Sequence, residues 1–208
     1  MTTRLVLVRH CETSWNCEGR FQGWADVPLS EVGRRQAVAL AAALAREEMH
    51  AIYSSDLRRA WDTALAVAQC HSMSVCEEPG LREMDFGSWE GLTYDQIRER
   101  WPNCLAAWQA DSLHVAPPGG ETLRQVADRV KAVVDKIGCA HGDQTVLLVG
   151  HGGSLQVLLC LALGLSPAAH WRLRLGPASI TELSLSEAGA VLTRFNDVHH
   201  LSEVPRGR

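Results

Sequence analysis

Two short apolar runs in the chain do not alternate with polar residues. Leu5-Val6-Leu7-Val8 leads into Arg9-His10-Cys11-Glu12-Thr13, and Val146-Leu147-Leu148-Val149 leads into Gly150-His151-Gly152-Gly153. Continuous apolar runs of this length predict strands buried on both faces, as in a parallel sheet covered by helices. Ligands of such sheets sit beyond the carboxyl ends of the strands. If the two strands are neighbours, His10 and His151 reach one crevice from opposite ends of the chain, with Arg9 beside them, and that constellation suits a phosphate.

The remaining pattern alternates strands and helices in the manner of a layered α/β domain. Ser30 predicts an N-cap for an alanine-rich helix running to Met49, and Ala51-Ile52-Tyr53-Ser54 predicts a short strand. Asp56 is expected to cap the next helix, whose apolar positions Ala60, Trp61, Ala64, Leu65 and Ala68 recur at helical spacing. The same periodicity runs from Thr122 to Ile137, and a further helix is expected from about Ser154 to Leu163. Strands are expected at 179–185 and 191–196, separated by Glu187-Ala188-Gly189. Residues 79–120, with three tryptophans and the breaker run Pro117-Pro118-Gly119-Gly120, read as a helical lid insertion over the crevice. Within it Trp101, Leu105 and Trp108 are expected to pack a helix onto the sheet rather than touch ligand. The expectation is one domain over residues 1–208: a three-layer α/β/α sandwich with a mostly parallel central sheet.

Composition narrows the function. The chain has 208 residues, 46% of them hydrophobic, enough for one sizeable core. Its 20 Lys and Arg against 24 Asp and Glu give a formal charge of −4, which argues against nucleic acid as a partner. No apolar stretch approaches the roughly 18–20 residues of a membrane span, and Met1-Thr2-Thr3-Arg4 carries no signal-like apolar segment, so a cytoplasmic protein is expected. Seven cysteines, none in a CxxC pair, read as reduced thiols, and their spacing matches no usual zinc pattern.

The blocks Leu7-Val8-Arg9-His10-Cys11-Glu12-Thr13-Ser14-Trp15-Asn16, Arg20-Phe21-Gln22-Gly23-Trp24, Leu29-Ser30-Glu31-Val32-Gly33, Ser54-Ser55-Asp56-Leu57-Arg58-Arg59-Ala60, Leu81-Arg82-Glu83 and Gly150-His151-Gly152 occur in this order. Together they resemble the histidine phosphatase (phosphoglycerate mutase-like) superfamily. The resemblance implies a phosphomonoester substrate, with His10 as the nucleophile that forms a phosphohistidine. It implies that Arg9, Arg59 and His151 surround the transferring phosphoryl group, and that Glu83 protonates the leaving oxygen and later activates water. Arg59, immediately before Ala60, matches the family's arginine, whereas Arg58 reads as a solvent or rim cation. Asn16, Gln22, Gly23 and the amides beginning at Gly152 are implied phosphate contacts. No metal and no cofactor is implied, because protein cations take the part that magnesium plays in many phosphoryl transfers. Cys11 departs from the glycine or alanine usual in relatives, and is expected to be tolerated.

Mutases of the family commonly carry arginine and tyrosine where this chain has Met84 and Phe86, and asparagine where it has Gly153. Neither Met nor Phe replaces their charge or hydrogen bonds. The stretch from Met84 to Thr93 is similar to the α-ribazole and broad-specificity phosphatases, so hydrolysis of α-ribazole 5′-phosphate, a sugar phosphate, phosphoglycerate or phosphoserine is expected. A bisphosphoglycerate-dependent mutase and a non-catalytic phospholigand-binding module are the alternatives. Glu121 is expected to serve helix structure, and His199 and His200 to lie on the surface. An exposed edge strand near Ser179 to Leu185 would permit a homodimer.

Overall fold

The computed structural model describes residues 2–204. Six strands form one sheet: β1 (Thr2–Arg9), β2 (Ala51–Ser54), β3 (Cys76–Glu77), β4 (Thr145–Gly150), β5 (Ile180–Ser186) and β6 (Gly189–Asp197), in the order β3-β2-β4-β1-β5-β6. Pairing is parallel from β3 through β1, and β5 alone runs against its neighbours. The sheet is therefore mostly parallel.

The two non-alternating runs are neighbours in the sheet interior, and successive side chains feed opposite layers. Val6 and Val8 of β1 with Leu147 and Val149 of β4 pack against α2 (Glu31–Leu44) and α3 (Arg58–His71). Leu5 and Leu7 with Val146 and Leu148 pack against α6 (Leu123–Ala140) and α7 (Gly152–Ala162). Helices thus cover both faces, giving three layers. The side chains of Leu5 to Val8 are at most 1% exposed, and burying each one contributes about 1.5–3 kcal/mol.

Helix starts follow the polar signals only in part. Ser30 accepts from the Gly33 amide at the head of α2, and Thr122 forms a capping box with Gln125 at the head of α6. The first of these helices stops at Leu44, five residues before Met49. Asp56 does not cap α3: Leu57 occupies the cap position without a side-chain bond, and Asp56 pairs instead with Arg82. The pair is two-pronged, Arg82 Nε to one carboxylate oxygen and Nη2 to the other, which is among the stronger charge-assisted arrangements. The last crevice helix begins at Gly152, directly after His151.

The segment between β3 and α6 carries α4 (Tyr94–Arg100) and α5 (Pro102–Ala110). Trp89, Ile97 and Leu105, with Trp101 and Trp108 against them, make a small core of their own. The helix of Trp101, Leu105 and Trp108 therefore packs mainly on its own segment rather than flat on the sheet, because Trp89 fills the space between them. The expected edge strand is also corrected. β5 lies between β1 and β6, and it is β6 that forms the edge, with Val191 and Phe195 exposed. His199 is exposed, but His200 is half buried. No helix among the described residues is long and apolar enough to cross a membrane.

Candidate active site

The register of β1 and β4 builds the site. Arg9 pairs with Gly150, so the next residue of each strand, His10 and His151, emerges side by side at the carboxyl end of the sheet. Their ring centroids are 5.1 Å apart, and the His10 amide donates to the Gly150 carbonyl at 2.9 Å. A cavity of about 240 Å³ opens there, with Arg9, His10, Asn16, Arg20, Arg59, Glu83 and Phe86 in its wall. Three arginines against one carboxylate make this wall cationic in a chain of net charge −4.

His10 is buried, and its Nδ1 lies 2.7 Å from the Cys11 carbonyl oxygen. A carbonyl only accepts, so Nδ1 carries the proton and donates it. Burial, with Arg59 and Arg9 nearby, holds the imidazole well below its usual pKa. The ring is neutral, with the lone pair on Nε2. Cys11 itself is fully buried among apolar residues, its amide donates to Thr63 Oγ1, and burial pushes its thiol up to about 12. The side chain that replaces glycine or alanine is thus accommodated inside the α2–α3 layer.

His151 takes the opposite tautomer. Arg59 Nε donates to its Nδ1 at 3.2 Å, leaving the Nε2 proton for Ser55 Oγ at 2.9 Å. Burial and Arg59 keep this ring neutral too. The fixed cations beside His10 are therefore Arg9 and Arg59, with His151 positioning the second. Arg59 is 0% exposed and donates through Nη1 to the Ala25 carbonyl and through Nη2 to the Gly23 carbonyl, each at 2.7 Å. Burial lowers its pKa to about 10, which leaves it charged at neutral pH. Of the five N–H bonds of a guanidinium, three are committed and two remain for a ligand. Arg9 donates from Nη1 to the Leu175 carbonyl at 2.6 Å, and its buried Nε has no partner. A buried, unspent cationic donor beside the imidazole is a place for an anion.

Glu83 hangs between two helices. Its carboxylate accepts from the amides of Met84, Gly153 and Ser154 at 2.9–3.2 Å, the last two at the start of α7. These bonds hold the carboxyl group in place. They also explain Gly153, since a Cβ there would stand 2.4 Å from Glu83 Oε1. Met84 is buried in the core, and Phe86 lies in the cavity wall, edge-on to Phe21. Asn16 uses its Oδ1 to cap Thr13 in the short helix α1 (Ser14–Cys17), which leaves its NH₂ group unspent. Gln22 accepts from Thr13 Oγ1 and is buried. Gly23 and Gly152 enter the site through backbone: the Gly23 carbonyl holds Arg59, and Gly152 packs against the Arg9 guanidinium. Arg58 is exposed and pairs with Asp62.

Three supporting groups were assigned no role from the sequence, and of these Thr63 lies outside every motif block. Ser55 fixes the tautomer of His151, and Thr63 ties the Cys11 amide to the Arg59 carbonyl. The Trp24 indole N–H donates to the Glu83 carbonyl. Thr63 sits four residues after Arg59, one helical turn on, and this spacing is the only signal that could have found it. Among the described residues no group of three or more His, Cys, Asp or Glu could hold a metal ion.

The profile of the histidine phosphatase superfamily (branch 1) matches residues 5–198. The metal-independent phosphoserine phosphatase of Arabidopsis thaliana is 39% identical over 206 residues, covering 97% of this chain and 84% of that protein. Among solved structures, mycobacterial glucosyl-3-phosphoglycerate phosphatase with inorganic phosphate superposes with a TM-score of 0.83 at 37% identity, over 96% of this chain and 99% of the other. The α-ribazole phosphatase from Shigella flexneri gives a TM-score of 0.87 at 29% identity, over 93% and 96%.

Proposed function

The chain belongs to the histidine phosphatase superfamily, and from that premise we propose that it hydrolyses a small phosphomonoester, without a metal, through a phosphohistidine at His10. The observation that carries this reading is the state of His10: a buried neutral imidazole with Nδ1–H donated to Cys11, and Nε2 free as a nucleophile in a cavity lined by buried Arg59 and half-buried Arg9.

In the first step Nε2 attacks phosphorus, the P–N bond forms and the ester P–O bond breaks. Arg9 and Arg59 meet the charge that spreads over the three equatorial oxygens, supplying in fixed form what a metal supplies elsewhere. Asn16 adds an N–H donor. Gln22 and Gly23 hold the loop that approaches the phosphate, and the Gly152 amide lies beside Arg9. Glu83 gives its proton to the leaving oxygen. The carboxylate then takes a proton from water, whose oxygen attacks phosphorus, the P–N bond breaks, and phosphate leaves with His10 restored.

Replacing Glu83 by Gln is expected to lower kcat/KM for an alkyl phosphate on the order of 10²-fold or more, and much less for p-nitrophenyl phosphate, whose leaving group needs little protonation. Equal losses on both would remove the acid role.

The substrate reading rests on what the wall lacks. Phe86 presents an apolar ring and Gly153 presents no side chain, so the site has little with which to hold and turn a doubly phosphorylated intermediate. Hydrolysis is favoured over mutation, and the relatives' substrates, phosphoserine, glucosyl-3-phosphoglycerate and α-ribazole phosphate, define the panel. Phosphate release from these esters, from sugar phosphates and from 2- and 3-phosphoglycerate is to be measured with and without chelator and 2,3-bisphosphoglycerate. Release faster than phosphoglycerate interconversion, and insensitive to chelator, is the expected result. Rapid bisphosphate-dependent interconversion would make it a mutase, and binding without turnover a phospholigand module.

A further inference from the structure

Arg129 and the run Pro117-Pro118-Gly119-Gly120-Glu121 take no part in the chemistry above, yet they hold the backbone that carries Glu83. Arg129, on the inner side of α6, has a side chain only 19% exposed. Its Nη1 donates to the carbonyls of Gly80 at 2.8 Å and Arg82 at 2.7 Å, and its Nη2 donates to the carbonyl of Glu83 at 2.9 Å. The same guanidinium meets the Glu121 carboxylate through Nε at 3.1 Å and Nη2 at 3.0 Å. Glu121 in turn brackets Asp85: its Oε2 accepts from the Asp85 amide at 3.0 Å, and its own amide donates to the Asp85 carbonyl at 2.9 Å. The approach is close enough that a Cβ on Gly120 would stand 2.3 Å from the Asp85 oxygen, which accounts for glycine before Glu121.

Every carbonyl from this span that Arg129 reaches lies within three residues of Glu83, and Glu121 fixes the residue two beyond it. The Glu83 side chain is latched on the other side, to the first amides of α7. Glu83 is thus suspended between α6, through its backbone, and α7, through its carboxylate. A salt bridge serving stability alone has no need to gather the main chain from Gly80 to Glu83 onto one guanidinium.

We propose that Arg129, locked by Glu121, is a positioning residue that sets where the Glu83 carboxyl meets the leaving oxygen. The proposal rests on the reading of Glu83 as the acid. A guanidinium with fixed, planar donors suits this task better than a flexible ammonium. A displacement of about 1 Å at a reacting group costs up to about a hundredfold in rate.

The test compares kcat/KM, which reports transfer to His10 alone, for β-glycerophosphate and for p-nitrophenyl phosphate in Arg129→Met, Arg129→Lys, Glu121→Gln and Glu83→Gln. Arg129→Met is expected to lose about ten- to a hundredfold on the alkyl ester and less than about threefold on the nitrophenyl ester. Glu121→Gln should bias the ratio in the same direction by a smaller factor, and Arg129→Lys should recover part of the loss. A folded Arg129→Met enzyme with an unchanged ratio, or with equal losses on both esters, overturns the proposal. If that variant does not fold, Glu121→Gln decides, and an unchanged ratio there overturns it. A bias in Glu83→Gln without one at Arg129 and Glu121 sinks the positioning role alone, whereas no bias in Glu83→Gln removes the acid itself and this inference with it.

Discussion

Alanine in place of His10 is expected to reduce turnover of every phosphomonoester by at least about 10⁴-fold, because removing a nucleophile leaves only the binding and charge-stabilising groups. No neighbour can substitute. His151 spends both ring nitrogens on Arg59 and Ser55, and the Cys11 thiol is buried with its pKa pushed up to about 12. Wild-type enzyme quenched during turnover of a slow ester should carry the phosphoryl group on His10, detectable by mass spectrometry under alkaline conditions that preserve phosphohistidine. Label on another residue, or steady turnover with none, would refute the mechanism. The pH dependence has a fixed sign. An ordinary imidazole loses its nucleophilic form as the pH falls through about 6.5, but His10 is held well below that value by burial, Arg59 and Arg9. The acid-side loss of kcat/KM that stems from His10 should therefore lie below the ordinary histidine range.

Arg59→Ala is the second large effect. Losing one preorganised donor at a developing anion costs about 10²–10³ in kcat. Unlike Glu83→Gln, it should fall equally on alkyl and nitrophenyl esters, since the phosphoryl charge is common to both. The variant should also be less stable. Arg59 is fully buried and satisfies the Gly23 and Ala25 carbonyls and His151 Nδ1, and leaving such acceptors unpaired costs about 1–3 kcal/mol each. Kinetics and thermal melting together separate the two consequences. Full activity in a folded Arg59→Ala protein would exclude the assigned role.

The site was legible in the sequence wherever a residue's role depends on its immediate neighbours. Non-alternating runs placed β1 and β4 in the sheet interior, and of the residues that end them Arg9 and His10 line the cavity, while the pairing register sets His151 beside His10. Ser30 was readable as a cap because its partner lies three residues on. Asp56 was misread for the opposite reason: its partner Arg82 belongs to a loop that only the folded chain brings near. Arg129 carried no local mark, since what it binds is backbone some fifty residues upstream. The edge of the sheet was assigned to the wrong strand because residue type does not mark it: β6 exposes Val191 and Phe195, while β5 buries Thr181 and Glu182. Along β6 the exposed positions alternate with half-buried ones, as in a strand packed on one face, whereas the first four residues of β5 are all buried.

The pairing of β1 with β4 has a further consequence, for the birth of the enzyme. As the chain is made, β1, which joins Arg4 to Thr145, must wait for β4 before its parallel neighbour exists. Its other neighbour, β5, arrives later still, with Val8 opposite Ile180. Such long-range pairing is slow, and until it closes Leu5 to Val8 stand with both faces open to water and to other nascent chains. The nucleophile cannot meet its arginines earlier than this, because the contacts that shape the pocket are the ones that complete the sheet. Phosphatase activity should therefore appear in refolding no earlier than the pairing of β1 with β4, leaving no partly built intermediate able to cleave an ester.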